Sequence, residues 1–229
     1  MEEYVIKPIA HIHSDFPSKF GIPRQSGIAS ALKAKIIFEP QYRDANAVRG
    51  LEGFSHIWII WQFSKVVGKE WSPTVKPPRL EGNTRVGVFA TRSPFRPNNL
   101  GLSCVKLENI EYSKEEGPIL YVSGADLLDG TPIYDIKPYL PYVDCQTEAT
   151  DGFAKENKDY KLEVNFPEEW LKVVPEEKRE GLIQVLSQDP RPSYQTDPER
   201  IYGMEFAHLE VKFHVKEKIL TVCKIEERI

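Results

Sequence analysis

Short runs of β-branched, aliphatic and aromatic residues dominate the first two thirds of the chain, and Pro, Gly or Asn interrupts the sequence between them. Runs of this length with such turn residues are typical of β-strands. The predicted strands are residues 4–13, 34–38, 55–67, 85–91, 102–112 and 119–123. Because few helical patterns separate them, they favour an antiparallel barrel or sandwich over a parallel sheet with crossover helices.

A polar stretch at 146–158, containing Gly, Asp and Asn, is typical of a linker. Beyond it, apolar residues recur at helical spacing over 168–186, where Pro175 is expected to separate two helices. Two alternating runs within 209–225 predict a β-hairpin. The sequence therefore predicts a β domain at 1–145 and a smaller α+β domain at 146–229.

The net charge of −4 argues against a protein that coats nucleic acid with a basic surface, but one segment departs from this average. Residues 71–100 carry five basic residues against one acidic residue. Such a local excess indicates a binding site for an anion. A charge fluctuation on a solvated surface would explain the same composition.

Cysteines and histidines show no spacing of the kind that disulfide frameworks or metal sites require. The three cysteines lie far apart without a CxxC pair, so the sequence predicts a reducing compartment and no metal site. No apolar run approaches the roughly 20 residues of a membrane-spanning helix. The acidic N-terminus shows no secretory signal, and we expect a soluble cytoplasmic protein with no membrane partner.

Common signatures of nucleotide-binding and hydrolytic sites are absent, including GxGxxG, GxxxxGK[ST], GxSxG and HExxH. Three segments instead combine turn-forming residues with charged or polar side chains: 21–27 (GIPRQSG), 87–98 (GVFATRSPFRPN) and 126–142 (DLLDGTPIYDIKPYLPY). In the second, prolines restrict the backbone around Arg96 and thereby pre-order the guanidinium groups. In the third, Gly130 permits a tight turn where Asp129 offers oxygen atoms, although an ordinary turn between strands uses the same residues.

These segments resemble the tRNA methyltransferases that methylate the N6 nitrogen of threonylcarbamoyl-adenosine at position 37, beside the anticodon. The resemblance covers almost the whole chain, and the string TRxxFRPN is its most specific part. It rests on PRQ at 23–25, AVRGLEGFSHIWI at 47–59, PTVKPPRL at 73–80, GVFATRSPFRPN at 87–98, DGTPIYDIKPYLPY at 129–142 and QDPRPSY at 188–194. It implies a closed antiparallel TsaA-like β-barrel that uses S-adenosylmethionine without a Rossmann fold, and a homodimer.

The resemblance also implies which residues bind the cofactor. They are Pro23, Arg24, Gln25, Ser64, Lys65, Arg92, Leu102, Asp129, Gly130, Thr131 and Pro132. Ser64 and Lys65 stand where relatives have His-Gln, so only backbone contacts are carried over there. Leu102 is expected to lie against the adenine.

Methyl transfer from a sulfonium is an in-line displacement, so positioning of donor and acceptor lowers most of the barrier. The carboxylate of the cofactor and the phosphates and threonyl carboxylate of the tRNA are suitable ligands for arginine. A carboxylate side chain of the protein could act as base or hold the cofactor. The predicted catalytic residues are Arg92, Arg96, Asp135, Lys137, Tyr139 and Arg191. Tyr139, Tyr142 and Tyr194 could stack a base of the anticodon loop, although packing would explain them equally. Arg191 is expected to reach the active site or the tRNA.

Two other readings fit the basic loops. One is a barrel that binds RNA or a nucleotide without catalysis, with arginines that contact phosphate. The other is a structural protein whose basic loop contacts an acidic partner. Binding of S-adenosylmethionine separates the enzyme from both.

Overall fold

A computed structural model describes residues 4–77, 80, 84–157, 160–192, 195 and 197–228. The chain forms two compact units. The first comprises residues up to 13, 35–122 and 130–150, and the second comprises 14–34, 123–129 and the residues from 151 onwards. The division at residue 146 that the sequence suggested stays a prediction.

The first unit contains a closed β-barrel. Its strands are β1 (Ala10–His13), β2 (Lys33–Phe38), β3 (His56–Gln62), β4 (Thr74–Val75), β5 (Val86–Gly87), β6 (Leu100–Ser113), β7 (Gly117–Ser123) and β8 (Thr131–Pro138). Six of them close the barrel in the order β1-β2-β7-β6-β3-β8, while β4 and β5 form a separate antiparallel pair. One α-helix, α1 (Pro141–Asp144), follows β8, and the closed antiparallel barrel confirms the predicted fold class.

Alternation along the strands fills the barrel. On β3, Ile57, Ile59 and Trp61 are buried, whereas the residues between them are only half-buried. The same alternation occurs on β2, where Ile36 is fully buried. Since successive side chains of a strand point to opposite faces, one face of each strand forms the core and the other remains available for contacts.

Three predicted strands are shorter than expected. The strand predicted at 55–67 ends at Gln62, and the 3-10 helix Ser64–Val66 follows it. At 85–91 the strand prediction is wrong beyond Gly87, because a 3-10 helix, Val88–Ala90, begins there. The amide and the hydroxyl of Thr91 both donate to the carbonyl of Val88, at 3.1 and 2.8 Å, and close this turn. At 4–13 the strand comprises only Ala10–His13, which pairs with β2 over its whole length and with β8 at residues 10–12.

The second unit combines a mixed sheet with two helices, which agrees with the predicted α+β character. Its elements are β9 (Glu163–Asn165), α2 (Glu168–Leu171), α3 (Glu176–Ser187), β10 (Tyr202–Phe206), β11 (Leu209–Lys216) and β12 (Ile219–Glu227), and the 3-10 helix Gly152–Asn157 precedes them. The strand order is β10-β11-β12-β9, with β9 parallel to β12. Pro175 is the N-cap of α3, so it separates the two helices as predicted.

The segment 14–34 contributes to the core of this second unit. The ring of Phe16 is fully buried, 5.6 Å from the ring of Phe206 in an edge-on arrangement. Leu32 lies so close to α3 that a Cβ on Gly181 would be 2.8 Å from its Cδ2 atom. The core of the second unit therefore requires residues from both ends of the chain.

Glu226 on β12 gives the second unit a pH-dependent contribution to stability. Its carboxylate bonds to the ammonium groups of Lys212 and Lys224, which lowers the pKa of Glu226 to about 2. A lowered pKa means that the unfolded chain binds more protons between pH 4.5 and 2, so stability falls as the pH falls through this range. We expect Glu226→Gln to reduce that fall, measured by urea unfolding between pH 6 and 2.5.

Glu163→Gln, at an exposed position on the neighbouring strand β9, is the control and should keep the wild-type pH dependence. Parallel curves for the wild type and Glu226→Gln would contradict the assignment.

Candidate functional site

A loop rich in arginine and proline connects β5 to β6. We call residues 88–99 the arginine loop. Its own polar groups hold it: the Asn99 side-chain amide donates to the Pro94 carbonyl at 2.7 Å, and the Phe95 amide donates to the Ser93 hydroxyl at 3.3 Å. The loop is therefore ordered by internal hydrogen bonds as well as by its prolines.

Arg96 braces this loop from within. Its Nη1 atom donates to the carbonyls of Thr91 and Ser93, both at 3.1 Å, and these residues flank Arg92. Arg96 is half-buried, whereas Arg92 is exposed. Both arginines belong to the arginine loop. Through the observed bonds, Arg96 supports the backbone on either side of Arg92.

Three neighbouring strands carry four of the predicted residues on their outward side. Leu102 on β6 pairs with Ile60 on β3, and Ile60 pairs with Asp135 on β8. We call this side, made of Leu102, Cys104, Trp58, Ile60, Asp135, Lys137 and Tyr139, the outer face. Leu102 is 56% exposed, so this row of the sheet has an apolar surface on β6 and a carboxylate, that of Asp135, two strands away on β8.

Asp135 and Lys137 form an ion pair on this face. The Lys137 ammonium lies 3.0 Å from Asp135 Oδ2, and the Ile136 amide donates to Asp135 Oδ1 at 2.9 Å. Both side chains are largely open to solvent, so the pair itself stabilises the fold little. It leaves a cation and an anion available to a polar ligand.

Tyr139 lies in an aromatic cluster at the end of β8. Its ring is 5.7 Å from that of Trp58 and 6.2 Å from that of His56. Burial raises the pKa of the Tyr139 phenol, and the thiols of Cys145 and Cys104 raise it further. The phenol therefore stays protonated at neutral pH and can donate a hydrogen bond.

Trp58 and Asp144 belong to this cluster although the sequence reasoning did not single them out. The Trp58 indole donates to Asp144 Oδ2 at 3.0 Å, and the Leu140 amide donates to the same oxygen at 2.8 Å. This contact fixes α1 against β3, with Tyr142 almost fully exposed on the helix. The only signal in the sequence was the string HIWI at 56–59, in which Trp58 interrupts an aliphatic strand.

Ser64 and Lys65 follow β3 in the 3-10 helix Ser64–Val66, and both are exposed. The Phe63 amide donates to the Asn99 carbonyl at 2.9 Å. This bond places the two residues beside the end of the arginine loop.

The turn before β8 holds the remaining predicted residues of the first unit. The Gly130 amide donates to the Ile12 carbonyl at 2.8 Å, and its φ of +73° suits glycine. Thr131 is buried, and Pro132 is half-buried opposite His11. This turn can therefore contact a ligand through the exposed backbone of Gly130, whereas the Thr131 side chain is buried.

The second unit holds Pro23, Arg24, Gln25, Asp129 and Arg191. Pro23 is buried, Gln25 half-buried and Arg24 exposed, and Arg24 Nη2 donates to the Asp189 carbonyl at 3.4 Å. Asp129 Oδ1 accepts from the Ser14 amide at 3.1 Å, which holds the carboxylate against the turn.

Arg191 lies in a largely buried ion pair. Its Nε and Nη2 atoms donate to the two oxygens of Asp189 at 2.8 and 3.0 Å, and the side chains are 12% and 9% exposed. The hydrogen bond to Asp189 raises the pKa of Arg191. The reach of Arg191 to substrate stays a prediction. Tyr194, and Arg79 of the motif at 73–80, lie outside the described residues.

Within the described ranges, no group of three or more His, Cys, Asp or Glu side chains could hold a metal ion. Among the same residues, no helix has the length and apolar character needed to cross a bilayer.

Comparisons with known proteins give consistent results over both halves of the chain. The family model described as tRNA-methyltransferase O N-terminal domain matches residues 11–145, and the one described as TrmO C-terminal domain matches 159–228. The chain is 38% identical to a tRNA (adenine(37)-N6)-methyltransferase of Escherichia coli K12, with 100% of both covered.

It is also 39% identical to a Pseudomonas aeruginosa protein named as an S-adenosylmethionine-dependent methyltransferase, with 91% of each covered. A crystal structure of TrmO from Pseudomonas aeruginosa superimposes with a TM-score of 0.81 at 33% identity, covering 98% of this chain and 99% of that one.

Proposed function

The chain belongs to the tRNA-methyltransferase O (TrmO) family, and we propose on this basis that its acceptor is the N6 nitrogen of threonylcarbamoyl-adenosine at position 37 of tRNA. It is an S-adenosylmethionine-dependent tRNA adenine-N6 methyltransferase. The observation that carries this conclusion is the match to the Escherichia coli enzyme over the full length of both chains. Relatives that are named as enzymes favour catalysis over a silent RNA-binding barrel.

The residues of the first unit fit the cofactor chemically. When bound, S-adenosylmethionine supplies an electrophilic methyl group on a sulfonium. The exposed guanidinium of Arg92 suits the cofactor carboxylate, since arginine binds carboxylates with two parallel hydrogen bonds. Exposed Leu102 suits an adenine ring, and Asp135, in the same row of the sheet, suits hydroxyl or amino donors. Arg96 keeps the arginine loop in place for these contacts.

The outer face and the adjoining helix α1 also support the proposed contact with the anticodon loop. Single-stranded RNA is commonly recognised by stacking of unpaired bases on aromatic rings and by basic side chains that contact phosphate. Tyr139, Trp58 and exposed Tyr142 supply rings, and Lys137 supplies a cation. The protonated Tyr139 phenol is suited to hold the acceptor as a hydrogen-bond donor.

We also propose that the protein is a homodimer and that it works in the cytoplasm. Exposed apolar side chains of the first unit, including Phe89, Phe95 and Leu100, support a subunit contact. The proposed location in the cytoplasm is based on the tRNA substrate.

Two tRNA preparations test the proposed acceptor. With purified protein and S-adenosylmethionine, tRNA that carries threonylcarbamoyl-adenosine at position 37 should gain one methyl group, read by mass spectrometry of the nucleosides. The same tRNA transcribed without modification is the control and should remain unmethylated, because its acceptor lacks the threonylcarbamoyl group. Equal methylation of both would contradict the acceptor but not the methyltransferase activity, whereas methylation of neither would contradict the proposed function.

A further inference from the structure

Asp189 joins three separate segments of the second unit. Its carboxylate accepts from the Nε and Nη2 atoms of Arg191 and from the Tyr160 hydroxyl, the last at 3.0 Å. Its backbone carbonyl accepts from Arg24, which belongs to the PRQ string. One residue thus contacts both predicted functional arginines of this unit.

The backbone of Asp189 is in an uncommon conformation. Its φ of +55° lies in the left-handed region, which residues other than glycine seldom adopt, and the residue follows Gln188, the C-cap of α3. The Asp189 amide donates to the Leu186 carbonyl at 3.1 Å, so the turn is held in place. Helices commonly end with a left-handed residue at this position, usually glycine, so an aspartate here depends on its surrounding contacts to hold the conformation.

We expect the ion pair of Asp189 and Arg191 to orient the arginine side chain more than it stabilises the fold. Buried ion pairs often contribute no more stability than apolar residues of similar volume, because both charges must be desolvated. What the two parallel bonds do provide is orientation, since they fix the plane of the guanidinium. They use Nε and Nη2 of Arg191, so Asp189 does not engage Nη1.

We propose that Asp189 is a positioning residue for methyl transfer: its carboxylate orients Arg191 so that this arginine binds an anionic group of the tRNA substrate. The anion is a backbone phosphate or the threonyl carboxylate of the modified adenosine. The proposal rests on the proposed function. It adds Asp189 as a residue that acts on the substrate through Arg191. Arg24 donates to the backbone carbonyl of Asp189, which a change of the Asp189 side chain leaves in place, so we expect cofactor binding to depend little on that side chain.

Asp189→Asn is the sharpest single change, because asparagine keeps the shape and tolerates a positive φ while removing the charge. We expect kcat/KM for tRNA to fall about 10- to 100-fold, as for other losses of orientation, with the Kd for S-adenosylmethionine within about twofold of the wild type. Tyr160→Phe removes the hydroxyl that donates to the carboxylate but keeps the ring, and it is the matched control, with a loss of no more than about threefold.

A double-mutant cycle distinguishes positioning from an independent role. If Asp189 acts through Arg191, the double variant Asp189→Asn/Arg191→Met should be no slower than Arg191→Met alone. Multiplicative losses would overturn the proposal, as would a wild-type kcat/KM in Asp189→Asn. A loss of cofactor affinity equal to the loss in kcat/KM would also overturn it, since that pattern indicates a general structural role.

Arg191→Lys covers the case in which Asp189→Asn fails to fold, because lysine keeps the charge but lacks the planar fork. We then expect about a tenfold loss in kcat/KM with unchanged cofactor affinity, and an unchanged kcat/KM would overturn the proposal. The salt dependence identifies the anion. A slope of log kcat/KM against log salt that falls by about one unit in Arg191→Met indicates a phosphate, and the same loss with an unchanged slope indicates the carboxylate.

The wild type serves as the reference for both claims. If it fails to methylate modified tRNA, the proposed function and the inference both fail. If it is active and the variants match it, only the role of Asp189 is overturned.

Discussion

Replacing Arg96 by methionine is expected to lower kcat/KM for methyl transfer about 100-fold, the size of effect that follows when reacting groups are displaced by about an ångström. Arg96 donates to the carbonyls of Thr91 and Ser93, and without these bonds the backbone that carries Arg92 is no longer fixed. The affinity for S-adenosylmethionine, measured by calorimetry, should fall as well.

Arg43→Met is the matched control for this change. Arg43 is also half-buried and donates to two carbonyls, those of Phe38 and Glu115, both at 2.9 Å, but it lies outside the arginine loop. Both variants should lose about 1–3 kcal/mol of unfolding free energy, because each loses two hydrogen bonds worth roughly 0.5–1.5 kcal/mol apiece at a partly solvated position. If Arg43→Met lowers methyl transfer as much as Arg96→Met, the effect reflects general stability and the assigned role of Arg96 is wrong.

Gly101→Ala is expected to destabilise the protein by about 3 kcal/mol, near the upper end for overpacking of a core. A Cβ at this position would lie 2.4 Å from Cε2 of Trp61 and 2.5 Å from its Cζ2. Trp61 is buried and its indole donates to Ser103 at 3.0 Å, so the ring cannot move without loss of that bond. The free energy of unfolding in urea measures the effect.

Gly53→Ala tests whether the effect is specific to this position. A Cβ on Gly53 would meet no atom within 4 Å, so the substitution should change the free energy of unfolding by less than about 0.5 kcal/mol. Equal stability of Gly101→Ala and the wild type would show that Trp61 has room to adjust. Since Leu102 follows Gly101 directly, Gly101→Ala should also weaken cofactor binding.

The barrel was predictable because its strands have a clear local signature. The run at 57–61 consists of β-branched and aromatic residues, which predicts a strand, whereas the alternate burial of Ile57, Ile59 and Trp61 is a finding of the structure. The strand β8 was not predicted, since Asp129, Gly130 and Pro132 indicate a turn and the pairing of Thr131–Pro138 depends on β1 and β3, which are distant in sequence. Closure of a barrel is a property of such distant pairings.

The candidate site also has some features that the sequence predicts and others that it does not. The family resemblance identified Arg92 and Leu102, and the chemistry of a carboxylate base pointed to Asp135. The strand register then places Leu102 and Asp135 in one row of the sheet. The support that Arg96 gives its own loop could not be predicted, because its bonds are to backbone carbonyls whose directions no sequence pattern specifies. The pair of Asp189 and Arg191 was equally hidden, although the residues are two apart, because the left-handed backbone at Asp189 brings them face to face.

The core shared by residues 14–34 and the C-terminal elements has a consequence for biosynthesis. Phe16 leaves the ribosome early, yet Phe206, against which it packs, is added almost 200 residues later. Until translation is nearly finished, the nascent chain must carry this aromatic side chain without its native cover, which makes the early segment a natural site for chaperone binding.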